Sequence, residues 1–132
     1  MDASAYARFA TTTWSPIPRI AGPVDPVRNE PGDNLMLHIA IHRAPAGSVI
    51  VCQAGDHDYA QAGGNVCAWA QKRGVAGLAV DGAVRDVGES RDNGFPLFGR
   101  GIVPIPAKRG KVGVAAHKKT IDDLVKKLGI DG

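Results

Sequence analysis

"GGNVCAWAQKRGVAGLAVDGAVRDVGE", residues 63–89, decides the fold. Two glycines lead into "NVCAWAQKRG" (65–74), which reads as a short helix ending on a glycine C-cap. "VAGLAVDGA" (75–83) then has the composition of a buried strand. "RDVGESRDN" (85–93) suggests a second helix. Upstream, "SVIVCQA" (48–54) is β-branched and apolar, a strand with a polar loop, "GDHDYAQAGG" (55–64), behind it. Strand, loop, helix, strand, helix is a βαβα order, which predicts parallel pairing through a right-handed crossover. In such sheets, sites form where loops leave the carboxyl ends of strands. Two loops qualify, 54–64 and 81–86.

Outward from this centre the punctuation is dense. "RIAGPVDPVRN" (19–29) predicts an edge strand, because Pro23 and Pro26 would spoil a central one. "PGDN" (31–34) is a turn able to cap the helix predicted for "LMLHIAIHRA" (35–44), and "PAG" (45–47) stops it. Beyond residue 93, "GFPLFGRGIVPIPAKRGK" predicts short extended pieces between glycines and prolines. In "TIDDLVKKLG" (120–129), Ile121, Leu124, Val125 and Leu128 fall at i, i+3, i+4 and i+7. Thr120 with Asp123 forms a capping box there, and Gly129 ends the helix. Residues 1–19 are ambiguous, a weak helical stretch broken by "SPIP". The 132 residues read as a single domain of α/β class without internal repeats.

A hydrophobic content of 44% with 22% charged residues is that of a soluble globular protein, and 17 glycines with 9 prolines favour many turns over long helices. The net charge of +3 is uneven: residues 100–132 hold eight Lys/Arg against Asp122, Asp123 and Asp131. No aromatic residues are interleaved with these charges, so they read as a solvated helix face rather than a nucleic-acid surface. Cys52 and Cys67 form no CxxC and no secreted cysteine framework. The N-terminus lacks an apolar signal core, and no run approaches a membrane span. The expectation is a cytoplasmic protein with reduced thiols.

Several groups could carry chemistry. His38 and His42 stand at i, i+4 on a predicted helix, a spacing that can put two imidazoles on one metal. Neither an HExxH glutamate nor a third ligand accompanies them, and apolar neighbours favour packing. Asp56, His57 and Asp58 alternate in a loop as divalent-ion ligands can, but a solvated loop explains them equally. Cys52 and Cys67 have no histidine at a recognisable spacing and read as core thiols. "AGGNV" (62–66) exposes backbone N–H groups at the positive end of a helix dipole, a site suited to a carboxylate or phosphate. A plain turn would look the same, and the GxGxxG dinucleotide fingerprint is absent.

Arg85–Asp86 is the most informative pair. Asp86 could cap a helix with Glu89 as its partner three residues on. Yet two acids at i, i+3 repel unless a cation or donor sits between them. Arg85 brings from the same loop the fork that binds carboxylates best. Together they would make a compact site for a 2-oxo acid, with Arg85 on its carboxylate and Asp86 on a divalent metal.

The spacing Gly64, twenty residues, Arg85-Asp86, two residues, Glu89 resembles the G-x20-R-D-x2-E/D signature of the class II 4-hydroxy-4-methyl-2-oxoglutarate aldolase and oxaloacetate decarboxylase family. That family also contains the regulator of ribonuclease activity A proteins. "GDNLMLHIAI", "APAGSVIV" and "FPLFGRGIVPIP" agree with it, so the resemblance covers about residues 20–107. It implies a swivelling β/β/α-type layered domain with a partly parallel sheet. Arg85, Asp86 and Glu89 would be catalytic, with Asp86 holding a divalent cation, Mg²⁺ or Mn²⁺. The N–H groups of Gly63, Gly64, Asn65 and Val66, together with Arg85, would bind the substrate. The implied activity is C–C cleavage of a 2-oxo acid through a pyruvate enolate, either retro-aldol cleavage or oxaloacetate decarboxylation.

The resemblance further implies a homo-oligomer, a trimer whose sites lie between subunits and take an acid from the neighbour. Relatives continue past the "PIP" strand with more strands around a Pro-Gly-Asp turn. Here "AKRGKVGVAAHKK" leads straight to the closing helix (117–129), so the chain reads as a shortened member with an incomplete sheet. The alternative is a non-catalytic regulator of ribonuclease activity acting through protein contacts, or a shortened inactive homologue. The regulatory branch tends to lack the metal aspartate, and Asp86 therefore favours the enzyme. An older label for the family, a menaquinone-pathway methyltransferase, finds no Gly-rich nucleotide loop here.

Overall fold

The computed structural model describes residues 18–107 and 126–127. Strand β1 (Val24–Arg28) is followed by helix α1 (Leu35–Arg43), strand β2 (Val49–Gln53), helix α2 (Gly64–Lys72) and strand β3 (Gly77–Asp81). Short elements complete the described fold: β4 (Ala83–Val84), α3 (Val87–Asp92), β5 (Leu97–Phe98) and β6 (Gly101–Ile102). Four strands form one sheet in the order β1-β2-β3-β5, and β4 pairs with β6 in a second. Every pairing in both sheets is parallel. This is the α/β architecture the alternating strand and helix patterns predict, with β1 at the edge of the sheet among the described residues, where its Pro26 is tolerated.

Register sets the core. Ile50 pairs with Leu78, and Cys52 with Val80, so these four apolar side chains share one face of the sheet. All four are fully buried, and residues of all three helices join them: Leu37 and Ile41 from α1, Cys67 and Ala70 from α2, Val87 from α3. Each of the Val, Leu and Ile side chains among them contributes roughly 1.5–3 kcal/mol on leaving water. On the opposite face Val24 and Val51 remain exposed.

The helix ends follow their local chemistry, with small departures from the expected bounds. Helix α1 ends at Arg43 rather than at residue 44, because Ala44 is already extended ahead of Pro45. Asn34 occupies its N-cap position without a side-chain cap bond, and Asp33 instead accepts from Leu35 N–H at 2.7 Å. Helix α2 begins one residue early, at Gly64, and runs out at Arg73 before Gly74 (φ +86°). The second helix of the central stretch is confined to Val87–Asp92, which leaves Arg85 and Asp86 ahead of it. The helix expected over 120–129 lies outside the described residues except for Lys126 and Lys127, which are helical. No helix among the described residues is long and apolar enough to cross a membrane.

Candidate functional site

The site is assembled by a ladder between two loops. Ala60 bridges Ala83, Gln61 N–H donates to Ala83 O at 2.9 Å, and Arg85 N–H donates to Ala62 O at 2.9 Å. This register carries Gly63 and Gly64 alongside Arg85 and Asp86. Gly64 N–H then donates to Asp86 Oδ2 at 3.0 Å. The two candidate loops, 54–64 and 81–86, therefore meet at the carboxyl ends of β2 and β3, where a parallel sheet offers a site.

Asp86 holds φ +54° and ψ +37°, and no other non-glycine among the described residues has positive φ. An L-residue there costs roughly 1–2 kcal/mol, less for Asp and Asn than for others, and such outliers gather at functional sites. The residue stands at the N-cap of α3 without making a side-chain cap bond. Its carboxylate turns to α2 instead, so the alternative reading of Asp86 and Glu89 as a capping box is not what forms. Arg85 Nε lies 3.7 Å from Asp86 Oδ2, a loose ion pair with both side chains about 40% exposed, and so of small energetic weight.

The glycines are demanded by close approach. A Cβ on Gly63 would stand 2.7 Å from Arg85 Nε and 2.8 Å from Asp86 Oδ2. A Cβ on Gly64 would run into the carboxylate of Glu89. Two acids at i, i+3 need a cation or a donor beside them, and the N–H of Gly64 fills that role for Asp86. Asn65 and Val66 follow in the first turn of α2, where N–H groups have no carbonyl a turn earlier to bond. All the candidate site residues, Gly63, Gly64, Asn65, Val66, Arg85, Asp86 and Glu89, thus belong to this one junction.

The other candidates resolve as structure. His38 and His42 pack on Trp69, with ring centroids 5.5 and 4.5 Å away, and clasp α1 to α2. Asp56 Oδ1 accepts from Asp58 N–H at 3.1 Å and Tyr59 N–H at 3.4 Å, closing its own turn. Cys52 and Cys67 are buried free thiols. Burial, reinforced by the charge of Asp81, pushes the Cys52 thiol up to about 12. Burial raises Cys67 to about 11, the Ser90 hydroxyl opposing it and the charges of Asp86 and Glu89 adding to it. Neither is a nucleophile at neutral pH.

Among the described residues no three His, Cys, Asp or Glu side chains group as a metal cage. Mg²⁺ does not need one, since it is commonly held by one or two carboxylates with waters and substrate oxygens. Asp86 fits that mode: its carboxylate is part-exposed, and among the described residues it accepts a hydrogen bond from the Gly64 N–H.

Two features escaped the sequence reading. Arg100 Nε forms an ion pair with Asp81 Oδ1 at the carboxyl end of β3. A buried cluster of Asn29, Asn34 and Gln61 lies behind the glycine loop. In sequence, Gln61 is one more polar residue in a polar loop, and nothing marks it as enclosed.

A family model described as RraA-like, Aldolase/RraA, matches residues 2–125. A Halalkalibacterium halodurans protein named "Putative 4-hydroxy-4-methyl-2-oxoglutarate aldolase" is 38% identical over 107 residues, 78% of this chain and 51% of its own. A Thermus thermophilus protein of the same name is 34% identical over 100 residues, 75% of this chain and 57% of its own. The chain therefore spans little more than half the length of these curated relatives. The solved structure of the RNA-processing inhibitor RraA from Thermus superposes with a TM-score of 0.63 at 29% identity. That match covers 71% of this chain and 57% of the other.

Proposed function

Since the chain belongs to the RraA-like, Aldolase/RraA family, we propose that it is a lyase cleaving a C–C bond of a 2-oxo acid. The substrate class is 4-hydroxy-4-methyl-2-oxoglutarate, oxaloacetate or both. The observation that carries this reading is the meeting of Gly64, Arg85, Asp86 and Glu89 at one junction, with the Gly64 N–H on the Asp86 carboxylate. The names of the curated relatives support the lyase class.

Breaking the bond beta to a ketone sends its electron pair to the ketone oxygen, and the site must stabilise that oxyanion. Arg85 is the cation for this task, part-exposed and free of a tight carboxylate partner. With the Gly64 N–H taken by Asp86, the N–H groups of Asn65 and Val66 that follow in the first turn of α2 are the ones that suit the substrate carboxylate. It would sit at the positive end of the helix. Asp86 would hold a divalent cation, Mg²⁺ or Mn²⁺, which supplies Lewis-acid charge when bound. Glu89, folded over Gly64, is the supporting acid. Retro-aldol cleavage and decarboxylation share the enolate, so one site serves both. Assembly as a trimer, with an acid from the neighbouring subunit, belongs to the same proposal.

The test is pyruvate release from each substrate by the purified chain, with Mg²⁺ and with EDTA. Metal-dependent release is expected. A folded protein that releases none from either substrate rules the enzyme out. A second reading, a protein-binding regulator of RNA processing, draws on the likeness to the RraA inhibitor structure. Turnover that survives loss of metal would support neither.

A further inference from the structure

Three buried carboxamides meet at the loop that leads into Gly63. Gln61 is fully buried, and Asn29 and Asn34 are nearly so. Asn29 Nδ2 donates to Gln61 Oε1 at 2.7 Å, and Asn34 Nδ2 donates to the backbone oxygen of Gln61 at 3.0 Å. Asn29 Oδ1 in turn accepts from Leu37 N–H at 3.2 Å. We infer that this Asn29–Asn34–Gln61 cluster is a positioning device that sets the register of Gly63 and Gly64 against Arg85 and Asp86. The inference deepens the proposed function and rests on the anion-binding reading of that wall.

Between the end of β2 and the start of α2 the chain crosses an irregular loop whose middle, His57 and Asp58, is exposed. Ala60 is held between Ala83 and Pro106, its N–H donating to Ile105 O and its carbonyl accepting from Ala107 N–H. Past it only residues 61–64 run beside 83–86, and a slip there would carry the Gly64 N–H away from Asp86. Gln61 lies within this short run. Its N–H faces Ala83, while its side chain and its carbonyl face the other way, to Asn29 at the end of β1 and Asn34 at the start of α1. Past Ala60, the ladder is thus gripped from both sides again at Gln61, two positions before Gly63.

The cluster is costly for a merely structural device. Gln61 Nε2 and Asn34 Oδ1 are enclosed and have no hydrogen-bond partner among the described residues. An enclosed amide without a partner costs about 1–3 kcal/mol, and an apolar side chain of similar shape would avoid that penalty. Placement of the loop, rather than net stability, is what the carboxamides supply. Gln61 acts through the glycines and reaches no substrate itself.

The variant Gln61→Met keeps the length of the side chain and removes its polar atoms. Positioning predicts that solvent exchange of the Gly64 amide, followed by NMR, speeds up about tenfold, as loss of roughly one hydrogen bond of local stability requires. Amides of β2 and β3 keep their protection, the melting temperature stays near wild type, and pyruvate binding in Mg²⁺ weakens. Asn34→Ala, which sacrifices no helix-cap bond, gives the same signature and decides the matter should Gln61→Met fail to fold. Unchanged Gly64 exchange overturns the inference, as does equal acceleration across the whole core. If the wild type itself binds no pyruvate, the functional reading fails, while Gly64 exchange still decides the positioning role.

Discussion

Gly64 and Asp86, 22 residues apart, are joined by a 3.0 Å hydrogen bond from the backbone N–H of one to the carboxylate of the other. The bond ties the first residue of α2 to a left-handed residue ahead of α3. It explains in physical terms why the signature places its glycine and its Arg-Asp pair where it does. The glycine admits Glu89 from above and offers its N–H to Asp86 from the side.

Gly64→Ala should separate stability from function. The added methyl meets the far end of a flexible, exposed Glu89 side chain, which can swing away. Alanine also gains up to about 1 kcal/mol of helix propensity. Urea denaturation should therefore show stability within about 1 kcal/mol of wild type, while kcat/KM drops at least tenfold. Gly74→Ala is the control. It forces φ +86° on an alanine at the end of α2, lowering stability by about 1 kcal/mol with activity intact.

Substitutions at Asp86 should rank by backbone as well as by charge. Asp86→Asn keeps an acceptor for Gly64 N–H and tolerates the left-handed conformation, so its urea midpoint stays close to wild type. Asp86→Ala loses the bond and is strained. Asp86→Gly loses the bond but is relaxed, so it should exceed Asp86→Ala in stability by about 1 kcal/mol. Equal midpoints for the Ala and Gly variants would mean that the left-handed backbone is not retained in solution.

The two buried thiols should make the fold sensitive to alkali. Each stays protonated in the folded chain well above the ordinary value of 9.0, to about 12 for Cys52 and about 11 for Cys67. The unfolded chain releases those protons first, so stability is intact below pH 9 and declines as pH rises from there towards 11. Urea midpoints at pH 8 and pH 10 should show the fall, and Cys67→Ala should reduce it. Thiol reagents should label neither residue at pH 8 until urea is added.

The acidic loop should prove irrelevant to the cation. Asp56→Ala, His57→Ala and Asp58→Ala should leave the Mg²⁺ dependence of turnover unchanged, since Asp56 is engaged in closing its own turn. A rise in the Mg²⁺ concentration needed for half-maximal turnover in any of the three would return that loop to the site.

Much of this architecture was legible because apolar periodicity and turn residues act locally. Val49, Ile50 and Val51 announce β2, Gly74 announces the end of α2, and Pro26 places β1 at an edge. The spacing of Gly64, Arg85, Asp86 and Glu89 pointed to residues that meet at one junction, but not to the geometry of that meeting. Nothing local in the sequence announces the left-handed backbone of Asp86 or its bond to Gly64, 22 residues away. Gln61 stayed hidden for a related reason: whether a loop glutamine is solvated or enclosed depends on Asn29 and Asn34, both about 30 residues away. The Asp81–Arg100 pair, 19 residues apart, had no periodicity to reveal it.

Oxaloacetate decarboxylation by wild type and Asp86→Asn, with saturating Mg²⁺ and with EDTA, tests the central claim most directly. Metal-dependent pyruvate release by the wild type should fall at least a hundredfold in Asp86→Asn, the scale of losing a group that stabilises developing charge, while the melting temperature holds. Equal rates for the two proteins, or none from a folded wild type, would contradict the assignment of Asp86 and of the lyase site.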